Sequence, residues 1–183
     1  GIRASDLIIS QAGSGYDLLV QIRGTSNTVL IEDGVGDGNG RGIEYIRFSD
    51  GSLLNRAQMI VMSHSGSSGS DTLRGTSAAD DMRGFSGDDR LYGRDGDDKL
   101  WGGPGEDRLE GGDGSDTYVV SAGDETVIIA DNGSSTDIDT LRFTTSVQKS
   151  GVQVSQTNYG RDLLLTIQPK GATVRIENGV QNT

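Results

Sequence analysis

Residues 66–119 divide without gaps into six blocks of nine: GSSGSDTLR, GTSAADDMR, GFSGDDRLY, GRDGDDKLW, GGPGEDRLE and GGDGSDTYV. Each block opens on glycine (Gly66, Gly75, Gly84, Gly93, Gly102, Gly111) and carries aspartate at its sixth place (Asp71, Asp80, Asp89, Asp98, Asp107, Asp116). The eighth place is large and mostly apolar: Leu73, Met82, Leu91, Leu100, Leu109 and Tyr118. Glycine also fills the fourth place, except for Ala78 in the second block. Six periods in one register predict a stacked repeat whose unit is a six-residue turn and a three-residue strand. A degenerate seventh turn is expected next, with Gly123, Glu125 and Val127 at its fourth, sixth and eighth places.

The pattern carries chemistry as well as shape. Glycines admit left-handed backbone conformations that other residues enter at a cost. Alternating such conformations turns carbonyl oxygens toward a common point, where the sixth-place aspartate adds a carboxylate. A donor set of hard oxygens, without nitrogen or sulfur, selects calcium over zinc or copper. Two blocks make one coil with a strand on each side, so blocks of equal parity stack and a cation lies between stacked turns. Pairing blocks one with three, two with four, three with five and four with six gives about four core ions. Asp124, Glu125, Asp131, Asp137 and Asp139 offer further sites at the end. In the second block, Ala78 and the Asp80-Asp81 pair are expected to weaken the half-site.

Charge sets what happens without metal. Residues 66–119 hold thirteen Asp or Glu against six Lys or Arg, a net of −7 out of −11 for the whole 183-residue chain. With 32% hydrophobic residues the chain is lean, a composition that by itself suits disorder. A roll of this width has a core one side chain thick, too little to offset backbone ordering and carboxylate repulsion together. Binding and folding are therefore expected to be one event. The acidic balance argues against nucleic acid or an anionic membrane surface as the main partner. No apolar run reaches membrane-span length, and the opening GIRASDLIIS has no signal-peptide pattern.

A second repeat flanks the first. SQAGSGYDLLVQIRGTSNTVLIEDGV, beginning at Ser10, aligns without gaps to SQTNYGRDLLLTIQPKGATVRIENGV, beginning at Ser155, at a fixed offset of 145. Both read as strand-like stretches separated by polar turns. In the first flank GIEYIRFSDGSLLNRAQMIVM continues the strand pattern, with Asp50-Gly51 as a hairpin turn. The expected organisation is a β flank over 1–65, a roll over 66–128 including the degenerate turn, and a β cap over 129–183 that is a shortened copy of the first flank. The alternation also suggests a longer array in which such blocks are neighbours.

The blocks resemble the haemolysin-type, or RTX, repeat G-G-x-G-x-D-x-U-x. DTYVVSAGDETVIIADNGSSTDIDTLRF looks like the segment that closes such blocks. NYGRDLLLTIQ and GIEYIRFSDGSLL are similar to the capping region of adenylate-cyclase-haemolysin-type toxins. The resemblance implies an all-β fold: a right-handed parallel β-roll flanked by sandwich- or hairpin-like caps, with calcium in the turns. It implies metal binding by the six aspartates and by backbone carbonyls at the first, third and fifth places. These include the six opening glycines, Ser68, Ser77, Ser86, Asp95, Pro104 and Asp113, and Asp88, Asp97 and Glu106. It further implies a secreted bacterial protein of Gram-negative type, exported unfolded by type I secretion and folded by extracellular calcium. The departures are Ser, Thr, Phe or Arg at the second place of four blocks, and Ala78.

The same residues hold no catalytic constellation. The one histidine, His64 in MSHSGSSGS, reads as a solvated linker residue, and neither a paired-histidine zinc motif nor G-x-S-x-G occurs. The glycine-rich run GVGDGNGRG at 34–42 precedes no helix pattern that would hold a phosphate, and its Asp37 and Asn39 lack EF-hand spacing. The expectation is a non-enzymatic calcium-binding folding and structural module. The alternative is an adhesin-like module binding glycan or protein, for which the outward ninth-place Tyr92 and Trp101 are the candidates; such rings more often pack on neighbours.

Overall fold

Alternation of apolar and polar residues makes the strand the dominant element of this chain. The structure, a computed structural model, describes residues 1–12, 17–32, 43–134, 136–158 and 161–178. The glycine-rich run at 34–42 lies outside them. Two compact units result, Gly1–Ser65 and Gly66–Thr183, so the expected segments 66–128 and 129–183 fall within one unit.

In the first unit β1 (Leu7–Ala12), β2 (Asp17–Ile22) and β3 (Thr28–Ile31) form an antiparallel sheet in that order. A hairpin follows, β4 (Tyr45–Arg47) and β5 (Leu53–Asn55), turning at Asp50-Gly51. Gly51 takes a φ of 86°, which glycine supplies without steric cost. The strand reading fails beyond it, because Arg56–Ser63 is a helix, α1. Asn55 accepts the Gln58 amide at 2.9 Å, and the Gln58 side chain accepts the Asn55 amide at 2.9 Å. This reciprocal cap satisfies two donors that would otherwise be orphaned and starts the helix. Met59 then joins Leu7, Ile9, Leu18, Val20, Phe48 and Leu54 in one apolar cluster. His64 is buried, 2% exposed, rather than solvated: it ends α1, its amide donating to the Ile60 carbonyl.

The second unit is the roll. Strands β6 (Thr72–Arg74), β8 (Arg90–Asp95), β10 (Glu106–Asp113) and β12 (Thr126–Ile129) lie side by side in parallel. Their counterparts β7 (Asp81–Arg83), β9 (Lys99–Trp101), β11 (Thr117–Val120) and β13 (Thr140–Phe143) form the other sheet, also parallel. Odd blocks feed one sheet and even blocks the other, as the period requires. Leu73 stands opposite Leu91, Leu91 opposite Leu109, and Met82 opposite Leu100. All six eighth-place side chains are buried and form the spine of a single cluster. The seventh turn departs from phase: Leu109 pairs with Ile129 and Asp107 with Val127. Without glycines in register, that turn takes in two extra residues.

The chain closes on β14 (Val152–Thr157), β15 (Asp162–Ile167) and β16 (Ala172–Ile176), an antiparallel meander. It reproduces β1 to β3 at the offset of 145: Leu7 pairs with Ile22 and Val152 with Ile167, while Leu18 pairs with Ile31 and Leu163 with Ile176. Here β16 also pairs in parallel with β12, extending the odd-block sheet to seven strands. Leu165, Ile167, Ala172 and Val174 thereby join the spine.

Candidate metal centre

The stacked turns are locked by their aspartates. In blocks three to six the sixth-place carboxylate accepts, through Oδ1, the amide of the aspartate one coil earlier. The Asp71 amide reaches Asp89 at 2.8 Å, Asp80 reaches Asp98 at 2.8 Å, Asp89 reaches Asp107 at 3.0 Å and Asp98 reaches Asp116 at 2.8 Å. Fifth-place Asp88 and Asp97 act similarly, accepting the amides of Glu106 and Ser115. The third-place carbonyls of Pro104 and Asp113 accept the amides of Gly87 and Gly96.

The other carboxylate oxygen divides the six aspartates into two kinds. In blocks one and two it is consumed locally. Asp71 Oδ2 accepts the Ser67 amide and hydroxyl at 2.6 and 2.9 Å, and Asp80 Oδ2 accepts those of Thr76 at 2.7 and 3.1 Å. The Ser67 and Thr76 hydroxyls in turn accept the amides of Gly69 and Ala78, each at 3.2 Å. Ala78 therefore fits a turn that block one builds in the same way with glycine, and it is not what distinguishes block two.

In blocks three to six the second place adopts left-handed backbone instead: Phe85 at φ 75°, Arg94 at 88°, Gly103 at 108° and Gly112 at 105°. Here Oδ2 of Asp89, Asp98, Asp107 and Asp116 is buried with no hydrogen-bond donor among the described residues. These oxygens point at the first-place glycines. A Cβ at Gly84 would collide with Asp89 Oδ2 and the Gly102 carbonyl oxygen; at Gly93 it would meet Asp98 Oδ2 and the Gly111 carbonyl oxygen. First-place carbonyls and orphaned carboxylate oxygens thus converge. At the end of the stack Asp116 is joined by Asp131 and Asp139, with one oxygen of each within 4.8 Å of the others.

Orphaned carboxylates are costly in a dry interior. Burial pushes Asp98 and Asp107 up to about 7, and Asp89 and Asp116 up to about 6. The amide bonds oppose the rise and neighbouring carboxylates add to it. Asp139 is likewise raised to about 6 by burial and by sharing a hydrogen bond with Asp131. Calcium answers this demand with positive charge and a preference for six to eight oxygens, and the donor set is of the kind that it takes.

The sign of the pH response follows. Without metal these groups hold protons more tightly folded than unfolded, where they titrate near 3.8. Protonation then favours the fold: the gain is complete below about pH 4 and is lost as pH rises through 6 to 7. Chelator-treated chain is expected to gain β signal in circular dichroism between about pH 7.5 and 4. The Asp98→Asn, Asp107→Asn double variant should gain less, and an equal gain would remove these carboxyls as the cause.

Residues 65–100, and again 83–118, match the family described as RTX calcium-binding nonapeptide repeat (4 copies). Residues 65–118 are RTX calcium-binding repeats. Residues 17–58 match a second family, the haemolysin-type calcium binding protein related domain. No curated protein matches the chain. Among solved structures, the R3 subunit of a mannuronan C5-epimerase from Azotobacter vinelandii is similar: 29% identity, 62% of this chain and 74% of that one, TM-score 0.47. The extracellular lipase LipA from Serratia marcescens is 17% identical over 98% of this chain, with a TM-score of 0.47; the match spans 29% of the lipase. The RTX roll is all-β with parallel sheets, and no helix among its described residues is long and apolar enough to cross a membrane.

The acidic ends Asp131 and Asp139 belong with the roll, although their distance from the nine-residue phase hides which block they serve. Each outward aromatic, half-buried, has an arginine beside it. Arg74 lies 4.5 Å over the Tyr92 ring and Arg83 lies 5.9 Å from that of Trp101, each pair one coil apart.

Proposed function

We propose that this chain is a non-enzymatic calcium-folded module of a larger extracellular bacterial protein, in which calcium drives folding after export through a type I channel. The observation that carries the reading is the set of four buried, donor-less carboxylate oxygens on Asp89, Asp98, Asp107 and Asp116. Each takes one ion; those of Asp89 and Asp98 lie between their own turn and the next of equal parity, where the carbonyls of Gly102 and Gly111 contribute to the shell. The Asp116 ion is shared with Asp131 and Asp139. Asp71 and Asp80, whose second oxygens are held by Ser67 and Thr76, fix the first coil and contribute less to binding.

Native mass spectrometry in calcium tests this. Uptake of about four ions is expected, with calcium outcompeting magnesium. Asp98→Asn should take up one ion fewer and raise the calcium midpoint of folding by on the order of tenfold. Asp71→Asn should keep the full uptake. Equal losses in the two variants would sink the assignment, and no uptake at all would sink the function.

A further inference from the structure

We infer that the outer edge of β3 is a docking site for the last strand of another calcium-folded nonapeptide roll, which adds to it in parallel. The inference rests on the calcium-folding reading, because its occupant is such a roll.

The internal duplication supplies the argument. Thr28, Val29, Leu30 and Ile31 correspond to Thr173, Val174, Arg175 and Ile176, and each set pairs antiparallel with the middle strand of its meander in the same register. The second copy uses both edges of its last strand. Thr126, Val127, Ile128 and Ile129 of the roll lie against Thr173 to Ile176, the Thr173 amide donating to the Glu125 carbonyl and the Glu177 amide to that of Ile129. The first copy uses one: among the described residues nothing pairs with the outer edge of β3.

Side chains agree with the backbone. Val174 is fully buried against the spine of the roll, whereas its equivalent Val29 is 61% exposed and Leu30 is 53% exposed. Val29 shares a face with Val20 and Ile31, and that face opens on an apolar cavity of about 650 Å³ lined also by Ile22, Ile43 and Ile46. In the second copy the equivalent face, with Leu165, Ile167 and Val174, is filled by spine residues including Val127 and Ile129. The cavity gives the inward side chains of such a roll a place to seat. An exposed edge backed by an apolar face recruits a strand. A second copy of this chain is excluded as donor, since its own β12 is already paired with β16.

The test places residues 66–145 directly before residue 1 of the full chain, the spacing that the offset of 145 dictates. Hydrogen exchange is then followed in calcium. The amides of Thr28 and Glu32, equivalent to Thr173 and Glu177, should exchange on the order of tenfold more slowly than in the single chain. Val29→Asp should abolish that protection while leaving the single chain folded. If both rolls are protected by calcium but Thr28 and Glu32 are not, the docking inference falls alone. If neither roll gains protection, the calcium reading falls and takes the occupant with it. Protection already present in the single chain and rising with concentration would assign the edge to self-pairing and overturn the inference.

Discussion

Stripped of calcium near neutral pH, the Gly66–Thr183 unit is expected to lose its strands in one cooperative step and regain them when calcium is restored. The cause is local and large. Removing the partner of a buried charge costs about 3–5 kcal/mol, and four carboxylates lose theirs together. A domain of this size has about 5–15 kcal/mol of stability in all, so the loss exceeds what a spine of single side chains holds in reserve. Magnesium, which demands tight octahedral geometry and keeps its waters, should not substitute. The first unit has no orphaned carboxylate among its described residues and keeps its apolar cluster. Trp101 is the chain's one tryptophan and sits on β9, so its fluorescence reports on the roll alone. Chelation should shift that emission and reduce far-UV dichroism with one midpoint. Unchanged Trp101 emission in chelator would mean that the roll folds without metal.

Gly105→Ala and Gly69→Ala, the same place in two blocks, are expected to act in opposite directions. Gly105 has a φ of 138°, a region closed to other residues, and a Cβ there would run into the backbone carbonyl of Gly87 in the turn below. Strained backbone costs about 1–3 kcal/mol before any clash, and a carbonyl cannot swing aside as a side chain would. The turn must open, separating the stacked first-place carbonyls. A rise of about a hundredfold in the calcium midpoint corresponds to roughly 2.8 kcal/mol, and the clash should bring Gly105→Ala to at least that. Gly69 lies outside the left-handed region, and its nearest obstacle is Ser67 Oγ at 3.9 Å. Alanine there reduces the freedom of the unfolded chain and should stabilise by about 0.4–1 kcal/mol. Calcium titrations followed by circular dichroism rank the two. A loss on Gly69→Ala as large as that on Gly105→Ala would show that all fourth places are equivalent.

Much of this architecture was legible because the repeat is strict. Glycine and an apolar residue at fixed places dictate turn and strand, and the offset of 145 predicted recurring strand-like stretches, which the structure pairs alike in both copies. What stayed hidden depends on single side chains. The six aspartates look alike, yet a hydroxyl directly after the opening glycine binds the carboxylate in blocks one and two, while Phe85, Arg94, Gly103 and Gly112 leave one of its oxygens without a donor among the described residues. Serine and threonine compete locally for backbone and carboxylate partners, so that distinction was written in the second place. Helix α1 was missed because Leu53 and Leu54 read as strand, while the Asn55–Gln58 cap that redirects the chain is a pair of polar residues. The slipped seventh turn has no glycine phase to read.

The alternation of blocks between two sheets gives the roll something like a reading frame. Leu73, Leu91 and Leu109 share one sheet because eighteen residues make a full coil. Deleting eighteen residues from the middle would leave every downstream strand on its own sheet, with one rung fewer. Deleting nine would be a frameshift of the fold. Every later strand would change sides, β12 and β16 together, so the capping meander would close the sheet of the other parity. Eighteen residues is thus the step by which the roll lengthens or shortens with every strand kept on its own sheet.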